Sequence, residues 1–157
     1  MFYFKKIYLL DNVAKQNLEQ GLRSRSLKRT QHLDFVFETS NTGTDKYFLG
    51  NEGKKNLKFT RIKTSFESFL PKIIVKLPKQ ADLHFYKLRL SFLSTAILSV
   101  LAFLLLVSFL DVVINQQNTE TFLITLVLLI VYALLILLEL KITKNKILKS
   151  TTQVQII

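Results

Sequence analysis

The sequence predicts an α+β fold: a small N-terminal domain followed by a two-helix transmembrane hairpin. Two long apolar runs, Leu90–Leu110 and Phe122–Leu138, contain no charged residue. A brief polar connector without lysine or arginine separates them. The residues before Lys87 have ordinary composition, with short apolar segments broken by glycine, proline and asparagine turns. A chain of 157 residues has room for about one domain. The expected organisation is therefore a basic cytoplasmic unit over 1–87, a hairpin over 88–140 and a basic tail over 141–157. Its spans are expected at about 90–110 and 121–139, with an outer loop over 111–120.

Within the first unit, Phe2–Leu10 is rich in aromatic and branched residues and reads as a strand. Asp11 is placed to cap a helix over about Asn12–Gln20, with Leu18 and Leu22 one turn apart and Gly21 near its end. Leu33–Glu38 is a second strand candidate, and 39–45 reads as a loop. Further strands are expected over Tyr47–Leu49, Leu57–Ile62 and Ile73–Leu77, with 50–56 as a hairpin connection. Pro71 and Pro78 bracket the last of these, which suggests an edge position.

The first apolar run covers 21 residues, about 31 Å as a helix, and matches a hydrocarbon core of about 30 Å. The second is shorter and extends through Thr121 and Glu139 toward the head groups. A connector this brief makes the two helices antiparallel neighbours. The formal charge is +11, and all of the excess lies outside the connector, which carries Asp111 and Glu120 but no cation. Lys and Arg concentrate on the cytoplasmic side of short-loop membrane proteins, so both termini are expected there. A bacterial inner membrane is the first expectation and an organelle membrane the second.

Three groups of residues are candidates for function. Arg23, Arg25, Lys28, Arg29, Lys76, Lys79, Lys87 and Arg89 form basic groups able to meet anionic lipid, each gaining about 1 kcal/mol near such a surface. Phe85 and Tyr86 are placed to anchor at the interface. Ser91, Thr95 and Ser99 recur every four residues and mark one helix face for close packing. Arg89 and Glu139, at the cytoplasmic ends of the two spans, are expected to form an interhelical ion pair.

Reaction chemistry is not legible. Cysteine is absent, which removes disulfides, thiolate metal sites and cysteine nucleophiles. His32 and His84 are far apart and lack metal-ligand spacing. The run from Gly50 to Lys55 lacks the P-loop interval, and no serine lies in a nucleophile elbow. No enzyme activity, cofactor, metal or small-molecule substrate is expected. Nucleic acid is not an expected partner despite the Arg23–Arg29 run, which lies in no binding motif.

Phe48, Gly50, Phe59, Arg61, Ile62, the run Ser68–Pro71, Ile73, and then Glu139, Lys141, Lys144 and Leu148 carry a resemblance. The chain resembles an uncharacterised family of small bacterial membrane proteins with a short β segment and two spans. That family has a glycine-containing turn before its first span, where this chain has 79–86. The resemblance implies the same architecture and no catalytic residue. The expected role is a non-catalytic anchoring or accessory subunit of a membrane complex or homo-oligomer, with anionic lipid and a protein as partners. The alternative is a membrane-perturbing or pore-forming effector whose cytoplasmic domain controls assembly.

Overall fold

A computed structural model describes residues 3–30, 32–35, 46–80, 82–115 and 119–152. The elements are β1 (Tyr3–Tyr8), α1 (Asn12–Ser24), β2 (Ser26–Lys28), β3 (Phe48–Glu52) and β4 (Asn56–Arg61). A single 3-10 turn (Phe66–Phe69) follows, then β5 (Ile73–Pro78), β6 (Phe85–Leu90), α2 (Phe92–Asn115) and α3 (Thr119–Thr152). An N-terminal sheet domain thus precedes two long apolar helices. Both helices are long and apolar enough to cross a membrane, and little of either apolar stretch is buried within the molecule.

The strands form one sheet in the order β1-β6-β5-β4-β3-β2, antiparallel throughout except for the parallel β2–β3 pair. Alternation along each strand divides the sheet into two faces. Phe59, Val75 and Leu88 stand opposite one another on the face that receives α1 and α3. Leu18 and Leu22 from α1, with Ile136 and Ile147 from α3, complete that core. On the other face a smaller cluster joins Leu33 to Leu49 and Ile74. Asp11 caps α1 as expected, its carboxylate accepting the Ala14 N–H at 2.7 Å.

Several boundaries differ from expectation. Residues 85–90 pair with both β1 and β5, so the first helix starts at Phe92 and not at Leu90. The connector shortens because α2 continues past Asp111 to Asn115. Residues 141–152, expected as a separate tail, continue α3, which has 34 residues and extends about 51 Å. The reason is packing. Ile136, Glu139, Thr143, Ile147 and Ser150 are buried at helical spacing along one face of α3, against the sheet and α1. β5 lies inside the sheet between β4 and β6. Its prolines do no harm there, since Pro71 precedes the strand and Pro78 is its final residue. Leu33–Phe35 is a turn, and the rest of the expected 33–38 strand lies outside the described residues, as do 39–45 and 153–157. The sequence also concealed β2, which sits within the basic run after α1.

Gly21 marks the contact between α1 and the end of α3. A β-carbon there would stand 2.5 Å from the Ser150 carbonyl oxygen, closer than packed atoms tolerate. Gly21→Ala is therefore expected to lower stability by about 1–3 kcal/mol through overpacking, despite alanine's better helix propensity. Thermal unfolding of the purified protein in detergent checks this, and an unchanged midpoint would contradict the α1–α3 packing.

Candidate functional site

The most constrained region lies where sheet and helices meet. Glu139 sits inside the apolar sequence of α3 and is 0% exposed. A carboxylate withdrawn from water needs charged or hydrogen-bonding partners. Arg61, the last residue of β4 and 5% exposed, supplies them. Its Nε and Nη2 donate to the two Glu139 oxygens at 3.1 and 2.7 Å, and the Thr143 hydroxyl adds a contact at 3.3 Å. The remaining Arg61 nitrogen donates to Glu67 on the 3-10 turn at 2.6 Å. One guanidinium thus ties a strand end, a turn and a long helix together.

The interhelical pair Arg89–Glu139 does not form. Arg89 is 2% exposed and binds Asp34 through two hydrogen bonds of 2.9 and 2.8 Å. Strand alternation explains the exchange. Leu88 and Leu90 point into the core beneath α3, so Arg89 must point to the opposite face. Arg61 shares its face with Phe59 and reaches α3. Asp34 also accepts the N–H of Phe92, the first residue of α2, at 3.0 Å.

Ser91, Thr95 and Ser99 do not form a seam between the helices. Ser91 caps α2, its oxygen accepting the Ser94 N–H at 3.3 Å, and Thr95 donates to the Ser91 carbonyl at 2.9 Å. Ser99 is exposed. Ser94 makes the tertiary contacts instead. Its hydroxyl accepts the Lys72 N–H at 2.8 Å, and its carbonyl accepts the Tyr132 hydroxyl of α3 at 3.0 Å.

The expected lipid-facing cations are dispersed. Arg89 is buried. Arg23 bridges Glu19 and Glu52, and Lys79 also pairs with Glu52, whose carboxyl Arg23 and Lys79 hold down at about 2. Arg25 lies over the Tyr47 ring, while Lys28 and Arg29 are exposed. Lys76 and Lys87 belong to a row that no linear reading reveals. Lys6, Lys87, Lys76 and Lys58 stand in register on four adjacent strands, on the face away from α3. Directly opposed like charges oppose sheet formation, and the rings of Tyr8 and Phe85 beside Lys6 partly offset this. Beyond the row, Lys54, Lys55 and Lys79 join Lys76 and Lys87 around a cavity of about 400 Å³ at the end of the sheet where β5 gives way to β6. Among the described residues, no cluster of His, Asp or Glu could hold a metal ion.

Arg61 entered the sequence reading only through the resemblance and not as a partner of Glu139, and Asp34 and Ser94 did not enter it. Only Glu139 signalled the site, since an acid in an apolar helix requires a cation. Comparison with protein-family models, curated proteins and solved structures finds no match to this chain, so the family resemblance gains no support.

Removing one partner of a buried pair leaves the other uncompensated. Glu139→Gln or Arg61→Met should cost about 3–5 kcal/mol each, and the double substitution much less than their sum. Unfolding of the four proteins of that cycle measures the coupling, and a coupling of Glu139 to Arg89 as large as that to Arg61 would contradict the geometry.

Asp34 and Glu67 are both held below the ordinary carboxylate range. Burial alone would raise each. For Asp34, the Arg89 hydrogen bonds and the Phe92 N–H outweigh it. For Glu67, the Thr64 N–H and Arg61 do so. A depressed folded pKa means weaker proton binding in the folded state. Their stabilisation is therefore complete above the unfolded value of about 4 and lost as pH falls through the folded values. Melting followed from pH 7 to pH 3 should fall more steeply for the natural protein than for Asp34→Asn, and parallel curves would contradict this.

Proposed function

We propose that the chain is a two-pass integral membrane protein, a non-catalytic accessory subunit that holds a basic sheet domain at fixed height above the bilayer. One observation carries this reading. α3 continues without a break from its apolar stretch into the core of the sheet domain, and Glu139 marks the transition through its pairing with Arg61. Thr119–Glu139 spans about 30 Å, the thickness of a hydrocarbon core. The connection from β6 to α2 is Ser91 alone. With a rigid link at both helices, the domain cannot tumble relative to its anchor.

Leu93, Val100, Phe103, Leu104, Leu134 and Leu137 are among the large apolar side chains exposed along the helices. Such continuous exposure is tolerated in lipid and not in water. The cation-free connector favours a cytoplasmic sheet, in a bacterial inner membrane as first choice. The row of lysines then faces away from the hairpin, toward the cytoplasm, where a partner protein or another copy would dock. The pore-forming alternative draws no support from the spans, where Thr95, Ser108 and Thr125 bond to carbonyls of their own helices.

The absence of native cysteine makes topology directly measurable. Glu120→Cys should react with an impermeant maleimide in intact cells, and Lys55→Cys only after permeabilisation. Purification in mild detergent should recover a discrete oligomer or a stable partner. Reversed labelling would refute the topology, and a strictly monomeric, partner-free particle the accessory role.

A further inference from the structure

Phe66 and Phe69 are 95% and 85% exposed, the barest rings among the described residues. They open and close the 3-10 turn between β4 and β5, three residues apart. In a 3-10 helix that spacing sets both side chains on one side. Glu67, between them, turns back to Arg61 at 2.6 Å. The turn thus keeps its charge inward and presents its rings outward. We propose that this turn is a third membrane contact, resting in the interfacial layer of the bilayer with both rings among the upper acyl chains.

The inference rests on the two-span reading, which sets where the bilayer lies. Glu139 ends the uncharged stretch of α3, and Arg61 holds Glu139 and Glu67 at once, at 2.7 and 2.6 Å. One guanidinium cannot reach carboxylates at widely separate depths, so the turn is level with the edge of the hydrocarbon. Phe69 also lines a cavity of about 210 Å³ together with Leu93 and Ile97 of α2, both exposed. The apolar surface of the span therefore continues across this cavity onto the turn, and lipid around α2 reaches both. Phe92, the first residue of α2, and Phe35 add a second pair of exposed rings beside the start of the span, 6.2 Å apart.

Backbone entering that layer must satisfy its own polar groups. The Thr64 N–H donates to the Glu67 carboxylate at 3.1 Å. The Glu67 and Leu70 N–H groups donate to the Thr64 and Glu67 carbonyls, each at 3.0 Å. Ser68 donates its amide and its hydroxyl to the Ser65 carbonyl at 3.4 and 2.6 Å, and Pro71 has no N–H. Two neighbouring bare phenylalanines gain by leaving water for acyl chains, as the apolar face of an interfacial helix does. The recognising groups are apolar, so the partner is the acyl region of phospholipid, whatever its head group. The anchor expected from sequence, Phe85 and Tyr86, does not serve. Tyr86 is in the core, and Phe85 stands about 17 Å along β6 from Leu90.

The chain has no tryptophan, so one introduced indole reports its own surroundings. Phe66→Trp, Phe69→Trp, Phe103→Trp within α2 and Tyr8→Trp would each be placed in phosphatidylcholine nanodiscs as the full-length protein. Tyr8 is an exposed ring paired with Phe85 at the other end of β6. Lipids brominated near either end of the acyl chain then quench emission by depth. Phe66→Trp and Phe69→Trp, each an independent reading of the turn, should emit to the blue of Tyr8→Trp. They should lose more emission to bromine near the head group than near the chain end, and Phe103→Trp the reverse. Adding phosphatidylglycerol should change neither. If both turn variants emit and resist bromine as Tyr8→Trp does while Phe103→Trp is quenched, the turn faces water or a protein partner and the inference is overturned. Quenching of the turn only when phosphatidylglycerol is present would overturn it too, by making head-group charge the attraction. An unquenched Phe103→Trp would refute the two-span reading itself.

Discussion

A carboxylate held out of water must meet positive charge, and in this protein that requirement is met between two parts of the chain 78 residues apart. Glu139 lies on a helix whose neighbours are leucine and isoleucine, and Arg61 closes a strand whose neighbours are phenylalanine and threonine. Neither could be buried alone. Replacing the pair by well-packed apolar residues could be as stable, so its contribution lies in fixing position as much as in energy. Arg61 engages only when β4 has the right register and α3 the right rotation. The same guanidinium also holds the 3-10 turn through Glu67, so three elements share one geometric condition.

That condition explains why the sheet and the hairpin act as one body. The sheet has α1 and the end of α3 on one face, and Ile136 and Ile147 of α3 belong to the same core as Phe59 and Leu88. Removing the helix would expose that core to water, so the sheet depends on α3. A second clamp, Asp34 with Arg89 and the Phe92 N–H, fixes the start of α2 from the opposite face. Chemistry at the surface follows from this division. Lysines stand in a row across the face away from α3, while Arg61 and Arg89 are occupied by carboxylates.

Much of the architecture was legible because long apolar runs and turn residues are local signals. The two helices, the Asp11 cap, β1, β4 and β5 follow from residues within one element. The misplaced boundary at β6 has a definite cause. Phe85–Leu90 alternates as a strand does, but it borders an apolar run and was absorbed as an interfacial anchor and the beginning of a span. Reading that alternation would have turned Arg89 away from α3 and left Arg61 as the candidate partner of Glu139. Other features were invisible in one dimension. The lysine row exists only once four strands are in register, and the α1–α3 contact at Gly21 only once the last turns of α3 are helical. Serine spacing does not locate the contact between α2 and α3, since hydroxyls in apolar helices find their own backbone carbonyls as readily as a neighbour.

The central claim is that the sheet and the hairpin are rigidly joined through Arg61 and Glu139. Spin labels introduced at Lys55, on the remote turn of the sheet, and at Glu120, at the far tip of the hairpin, would report on that join by pulsed dipolar spectroscopy in lipid nanodiscs. A single narrow distance distribution is expected. A broad distribution, or two separate populations in the natural background, would contradict the account.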